Sequence, residues 1–330
     1  MMRWHVDAWD PGYGTGLDPD AGTGPAAESS APLDANVEMP ADSWRPLAAP
    51  ADLRAPDVVL LVDGVRRVDA RLWTEEDDGS SYAGIAASYA AGVVRCDLRN
   101  GAAEVVGATL DRGLFTASPS AADLAVGAVR YRVHRVVRDD PARLPVAVQP
   151  ALTDLEVRVS TEARAASGST EDLLVVDGPL RNRRHLERAI GYVKTHRSQY
   201  LPAALSAVVT ALAPGQRSPV FRHGTIWHAY SWYLRLPGPA GGPWSGIVRL
   251  ECPAELPVPA AVALADLSAV TLPRFASSPY KDPRAPQNLV PIGGLEKRLR
   301  AMLGDPRLLH RTLARAAATA AAAGGGTVRG

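Results

Sequence analysis

Twice in this chain an apolar run ends on an aspartate and a glycine. Residues 58–62 lead to Asp63-Gly64 and residues 173–176 lead to Asp177-Gly178. Arginines follow each time: Arg66 and Arg67 after the first, Arg181, Arg183 and Arg184 after the second. A short apolar run bounded by turn residues reads as a buried strand. Asp-Gly is by itself a common turn dipeptide, so the repetition and the basic neighbours are what point to chemistry. Two carboxylates brought together repel, and one of them resists ionisation unless a cation lies between them. A hard divalent ion with oxygen ligands, Mn²⁺ or Mg²⁺, resolves that conflict. A pair of such ions about 3.5–4 Å apart activates water and stabilises the leaving oxygen of a phosphodiester. The expectation is that the Asp63 and Asp177 carboxylates lie on adjacent strands within about 4–7 Å of each other.

A third carboxylate is needed. The stretch 150–166 has a helical pattern with Leu152, Leu155, Val159 and Ala163 on one side, and it offers Glu156 and Glu162. Their spacing does not put them on one helical face, and Glu162, closer to the second aspartate strand, is preferred over Glu156. The ordinary fate of a helix glutamate is a solvated one. Further basic residues stand where they would hold phosphates against metal ions. Lys194, His196 and Arg197 end a segment that reads as a helix, and Lys281 and Arg284 lie in a C-terminal loop. Trp227, Tyr230 and Trp232 read first as core or groove-lining aromatics, and as rings on which the bases of a single strand could stack. His223 and His228 face different directions on an extended segment and do not make a joint metal site. The stretch "GPAGGP" lacks the lysine and helix start of a phosphate loop and reads as a hairpin loop.

These side chains work together only if the fold positions them. The 330 residues can bury a real core, and 46% hydrophobic with 22% charged residues describes a globular protein. The formal net charge of +1 requires any basic surface to be local. Two cysteines, Cys96 and Cys252, make neither a disulfide framework nor a zinc pattern. No uninterrupted apolar run reaches membrane-spanning length and no signal pattern opens the chain, so a cytoplasmic protein with no membrane contact is expected. Residues 1–56, rich in Gly, Pro, Ala, Asp and Ser, read as largely disordered or loosely docked. Residues 57–310 read as one mixed α/β unit, and 311–330 as a helix with a flexible tail. Within the unit, the strand at 58–62, the alternating stretch 66–73 and a hairpin at Asn100-Gly101 predict three antiparallel strands, with Asp63 at the end of the first. The helix at 150–166 then leads to a fourth strand, 173–176. After it come a helix over 184–201, three strand-like stretches, an Ala-rich helix at 259–270, an irregular loop and a helix at 295–304. A meander, a crossover helix and a fourth strand parallel to the first is the opening order of an RNase H-like mixed sheet. That order sets Asp63 beside Asp177.

The chain resembles the NurA family of 5′–3′ nucleases from about residue 55 to 310. The resemblance is carried by the strand-DG at Asp63, by "LVVDGPL", "GYVKTHRSQYL" and "APQNLVPIGGLEKRLRAMLGD". It implies an RNase H-like fold and a Mn²⁺-dependent nuclease acting on DNA ends in double-strand break processing. It also implies a homodimer and partnership with a hexameric HerA-type ATPase. By position it makes Asp63 and Asp177 metal ligands, Glu162 or Glu156 the helix carboxylate, and Lys194 the lysine after the second strand. Where the family usually has a tyrosine and a histidine near the C-terminus, this chain has no histidine, and Asn288 and Glu296 are the candidate substitutes. The first motif also reads DGV instead of DGS. The missing histidine favours a second reading, a catalytically impaired nucleic-acid-binding subunit of the same fold; the two intact aspartates favour the enzyme. An unrelated metal-dependent phosphohydrolase would share the acids without needing the aromatic strand or the basic groove.

Overall fold

A computed structural model describes residues 3–6, 27–28, 32–180, 183, 185–194, 198–224, 228–238, 242–282 and 284–324. Strands β1 (Arg3–Val6), β2 (Ala27–Glu28) and β3 (Leu33–Asp34) precede a long meander of β4 (Val58–Glu75), β5 (Ser81–Asp97) and β6 (Ala102–Thr116). Then come β7 (Leu124–Val126), β8 (Val129–Arg135), helix α1 (Leu144–Ser167), β9 (Leu173–Asp177), β10 (Ala189–Val193) and β11 (Ser198–Gln199). Helix α2 (Ala203–Thr210), β12 (Phe221–His223), β13 (Ala229–Arg235) and β14 (Ile247–Pro253) follow. Helices α3 (Val258–Thr271), α4 (Val290–Met302) and α5 (Pro306–Gly324) complete the described chain.

Most strands join one mixed sheet in the order β3-β12-β13-β14-β10-β9-β4-β5-β6-β8-β7, with β1 against the far end of β4. The meander is antiparallel, and β9 returns through α1 to lie parallel to β4, as the sequence predicts. Side-chain alternation gives the central strands two apolar faces. Leu60, Val62, Leu174 and Val176 pack against Leu152, Leu155 and Val159 of α1. Val59, Leu61, Leu173 and Val175 belong to the core formed with Ala261 and Ala265 of α3 and Ile292, Leu295 and Leu299 of α4. The Asn100-Gly101 turn closes the β5–β6 hairpin, with Gly101 at φ 63°, where a side chain would be strained.

Several expectations differ from the structure. Asp63 does not end its strand, because β4 runs on through Gly64 to Glu75. It is the neighbour that ends: β9 pairs with β4 only as far as Val62 opposite Val176. The helix predicted across 184–201 is instead strand β10, parallel to β9 and antiparallel to β14. The pattern there looks helical, yet Ala189, Ile190 and Tyr192 are buried within the sheet and tertiary packing decides. Gly191 has no room for a side chain, since a Cβ would stand 2.8 Å from the Leu180 amide nitrogen. Helix α1 starts earlier than predicted, at Leu144, and carries Pro150 within it. The edge strand β7 and its neighbour β8, which also pairs with β6, are further strands, and the alternation in Val129–Arg135 is the pattern that marks β8.

Residues 32–56 also depart from the largely disordered or loosely docked reading. Strand β3 pairs with β12, and Trp44 is buried with its indole N–H donating 2.9 Å to the Ala35 carbonyl. Glu38 accepts both Nη groups of the buried Arg217, whose Nε reaches Asp266 of α3 at 2.7 Å. The Gly/Pro-rich composition hides these anchors. Helix α5 occupies 306–324, and the remaining tail residues, 325–330, lie outside the described residues. Val258–Phe275 is long and apolar enough by composition to cross a membrane. Its Ala261, Leu264, Ala265 and Leu272 instead pack into the core, so it is a core helix here.

Candidate metal centre

Because Val62 pairs with Val176, the next residues along both strands, Asp63 and Asp177, stand side by side at the point where β9 stops. Both follow the alternation onto the α4 face of the sheet. Helix α4 crosses that face, held by Leu295 and Leu299 against Gly92 of β5, where a Cβ would come within 3.1 Å of each leucine. Glu296 follows Leu295 and projects into the same corner. One carboxylate oxygen from each of Asp63, Asp177 and Glu296 lies within 4.8 Å of the others.

The electrostatics of this corner are unbalanced. Burial pushes the Asp63 carboxyl well above the usual carboxylate range, and the Asp177, Glu296 and Glu156 charges push the same way, against Lys194. Burial also raises Asp177, with Glu296 adding to the rise and Lys194 opposing it. The Asp63 Oδ1 accepts the Gly64 amide at 2.7 Å, while its Oδ2 is buried and accepts no hydrogen bond among the described residues. A buried, unpartnered carboxylate oxygen beside two more acids is costly without a cation. Hard oxygen donors of this kind fit Mg²⁺ or Mn²⁺.

The cations around the corner are organised by one loop. Lys194 Nζ donates to Asp177 Oδ2 at 2.5 Å and to Asn288 Oδ1 at 2.7 Å. Asn288 Nδ2 donates to Asp282 at 2.6 Å, so Asn288 steers the lysine and its amide is not aimed at the three acids. Arg284 forks across Glu296, at 3.0 and 2.8 Å, while also gripping Asp282. The buried Tyr192 donates its hydroxyl to the Gln287 carbonyl at 2.6 Å and fixes the loop beside Asn288. The sequence did not single out Tyr192 and Asp282; a tyrosine two residues before Lys194, paired with Asp177 across the strands, and an acid between Lys281 and Arg284 are the signals that mark them.

The other sequence candidates are distributed differently. Glu162 is exposed on α1 and does not face the acids, whereas Glu156 is buried and abuts the backbone of Gly64, on the α1 face of the sheet. Glu156 pairs with Arg183 at 2.6 Å, and burial still raises its carboxyl to about 7 against that guanidinium. Arg183 is thus buried against Glu156 and is no surface phosphate ligand. Arg66 bonds the Gln149 side chain of α1, and Arg67 caps the end of α4 through the Leu303 and Gly304 carbonyls at 3.1 and 2.8 Å. Both arginines are committed to helices by the alternation of β4, which turns them away from a common groove. Lys281 lies over the exposed Tyr280 ring. Arg181, Arg184, His196, Arg197 and Trp227 lie outside the described residues. Trp232 is fully buried and Tyr230 nearly so, and neither offers a face to a base. His223 is buried against Ser231 and Arg249, and burial lowers its pKa to about 4, which keeps it neutral. Cys96 and Cys252 are buried, with thiols raised to about 11 and about 12, and are inert.

A family model described as the NurA domain matches residues 128–292, half of the chain, a span that holds Asp177, Lys194 and Asn288 and stops short of Glu296. No curated protein sequence matches the chain. Among solved structures, the catalytic domain of human Endonuclease V is similar over 76% of this chain and 85% of that one, at 18% identity and a TM-score of 0.34.

Proposed function

The chain belongs to the NurA family, and on that premise we propose that it is a divalent-metal-dependent DNA nuclease whose metal ligands are Asp63, Asp177 and Glu296. The single observation that carries the reading is the convergence of these three carboxylates within 4.8 Å, one of them with a buried and unpartnered oxygen. A bound Mn²⁺ or Mg²⁺ supplies charge neutralisation at the phosphodiester and a water of lowered pKa. The chain's own residues do the rest. Asp63 and Asp177, fixed by adjacent strands, set the position of the ion. Lys194, held beside Asp177 by Asn288, would offer its ammonium to a non-bridging phosphate oxygen. Arg284 keeps Glu296 turned into the corner. The finer expectations belong to the same reading: 5′–3′ degradation of DNA ends in double-strand break processing, preference for Mn²⁺, a homodimer, a HerA-type hexameric translocase as partner, and a cytoplasmic location.

The test is release of nucleotides from a labelled duplex and a labelled single strand, with Mn²⁺, with Mg²⁺ and with chelator. Asp63→Ala and Asp177→Ala are expected to lower the rate by several powers of ten, because each removes a ligand and with it transition-state charge stabilisation. Lys194→Ala is expected to slow the reaction while leaving calorimetric Mn²⁺ binding in place. A wild-type protein that binds DNA but degrades nothing with either ion would make this chain a binding subunit.

A further inference from the structure

The loop that holds Lys194 and Arg284 in place also displays an aromatic ring. Tyr280 is 85% exposed, and among the described residues the other large exposed aromatic side chains, Trp73 and Trp244, are only 41% and 36% exposed. A ring so far from any core contact adds nothing to folding, yet the backbone beneath it is closely held. The Lys281 and Asp282 amides both donate to the Ser278 carbonyl, at 2.9 and 3.1 Å, and the Ser277 amide meets the Pro286 carbonyl at 3.4 Å across the loop base. The Asp282 carboxylate receives the Arg284 amide at 2.8 Å and Asn288 Nδ2 at 2.6 Å. Pro279 precedes the ring and restricts the backbone further. Asn288 in turn bonds Lys194, and Lys194 bonds Asp177. A short chain of hydrogen bonds therefore ties the tyrosine's turn to the three acids.

A fixed, solvent-facing ring beside a cation is what unpaired bases stack on. The Lys281 ammonium lies 5.6 Å from the Tyr280 ring centroid, within reach of the phosphate that would accompany a stacked base. We propose that Tyr280 is a stacking platform for an unpaired base of single-stranded nucleic acid approaching the three acids, with Lys281 holding the adjacent phosphate. The role rests on the nuclease reading for its purpose, and is read out separately from it. Stacking is tolerant of base identity, so the platform favours single strands over duplex without choosing a sequence.

The experiment uses the full chain in chelator, so that no turnover occurs, and follows the anisotropy of a fluorescein-labelled oligothymidylate and of a blunt duplex. Tyr280→Ala is expected to raise the single-strand Kd by about 5- to 100-fold and to change duplex binding far less. Tyr280→Phe and Tyr280→Trp should bind the single strand about as tightly as wild type. Lys281→Ala should flatten the dependence of log Kd on log salt by about 0.7, the share of one phosphate contact on a single strand, a slope Tyr280→Ala leaves unchanged. Unaltered single-strand affinity in Tyr280→Ala, or equal losses on single strand and duplex, would overturn the proposal, as would a Phe variant as weak as the Ala variant. The exposure of Tyr280 makes misfolding an unexpected outcome, and the Phe and Trp variants separate it from loss of the ring. Loss of single-strand binding in Tyr280→Ala together with full activity in Asp63→Ala would leave the platform standing and remove the proposed metal centre. Normal binding in Tyr280→Ala with an inactive Asp63→Ala would do the reverse.

Discussion

At the scale of single residues, the two glutamates of α1 separate a surface acid from a buried one. Glu162→Ala is expected to leave both stability and nuclease rate unchanged, since its carboxylate is exposed. Glu156→Ala removes the carboxylate 2.6 Å from the buried Arg183 and is expected to cost about 3–5 kcal/mol in denaturant unfolding. The acids also predict a pH dependence. Asp63 and Asp177 are raised above 3.8, and Glu156 is raised from 4.5 to about 7. The native state therefore keeps protons that the unfolded chain has already released. The stability due to these groups is present below their unfolded values and is lost as pH rises through the folded ones. In chelator the Tm should fall as pH is raised from about 5 to about 8, and saturating Mn²⁺ should remove the share due to Asp63 and Asp177 while leaving that of Glu156, which lies on the other face of the sheet. A metal-free Tm that stays level or climbs across the range would count against the raised acids.

At the scale of elements, the contact between α1 and β4 is closest at Gly64. A Cβ there would stand 2.7 Å from Leu152 Cδ1 and would also collide with the Glu156 carboxylate. Gly64→Ala is thus an overpacking change, expected to cost about 1–3 kcal/mol by calorimetry or denaturant unfolding. Displacement of β4 at this point also shifts the adjacent Asp63, so Mn²⁺ affinity by titration calorimetry should fall with it. A variant as stable as wild type and with unchanged Mn²⁺ affinity would mean that α1 moves aside freely. Glycine is required here by the approach of a helix, which is a different reason from the turn its Asp-Gly dipeptide suggests.

At the scale of the whole molecule, the sheet extends well beyond the strands that carry the acids, and its far edge is completed by residues ahead of β4. Trp44 packs 6.0 Å from Phe221 between ring centroids, and Arg217 lies between Glu38 and Asp266. Trp44→Ala is expected to cost about 3–5 kcal/mol, measured by urea unfolding. Truncation of residues 1–56 should destabilise more, because it also leaves Arg217 facing Asp266 without Glu38. A truncated chain with wild-type stability would return that segment to the status of a loosely docked arm.

Sequence alone determined that two aspartates, each at the end of an apolar run, would stand side by side. Two apolar runs ending in Asp-Gly are local patterns of period and turn preference, and the strands they specify pair as far as Val62 opposite Val176, which sets the two following aspartates side by side. The meander, its Asn100-Gly101 hairpin and the Ala-rich α3 were legible for the same reason: each is written in neighbouring residues. What only the tertiary structure decided is which distant side chains complete the corner. Glu296 joins the aspartates because α4 is seated by Leu295 and Leu299 against Gly92, a contact that has no trace in local periodicity. Glu156 turns inward and Glu162 outward according to which face of α1 meets the sheet. Ala189–Val193 is a strand because a slot between β9 and β14 buries it, against a pattern that reads as helix. Arg66, Arg67 and Arg183 look alike in sequence, yet each is bound by a partner far along the chain. Charge and propensity are properties of a residue and its neighbours; burial and pairing are properties of the packed chain, and they set where each charge is spent.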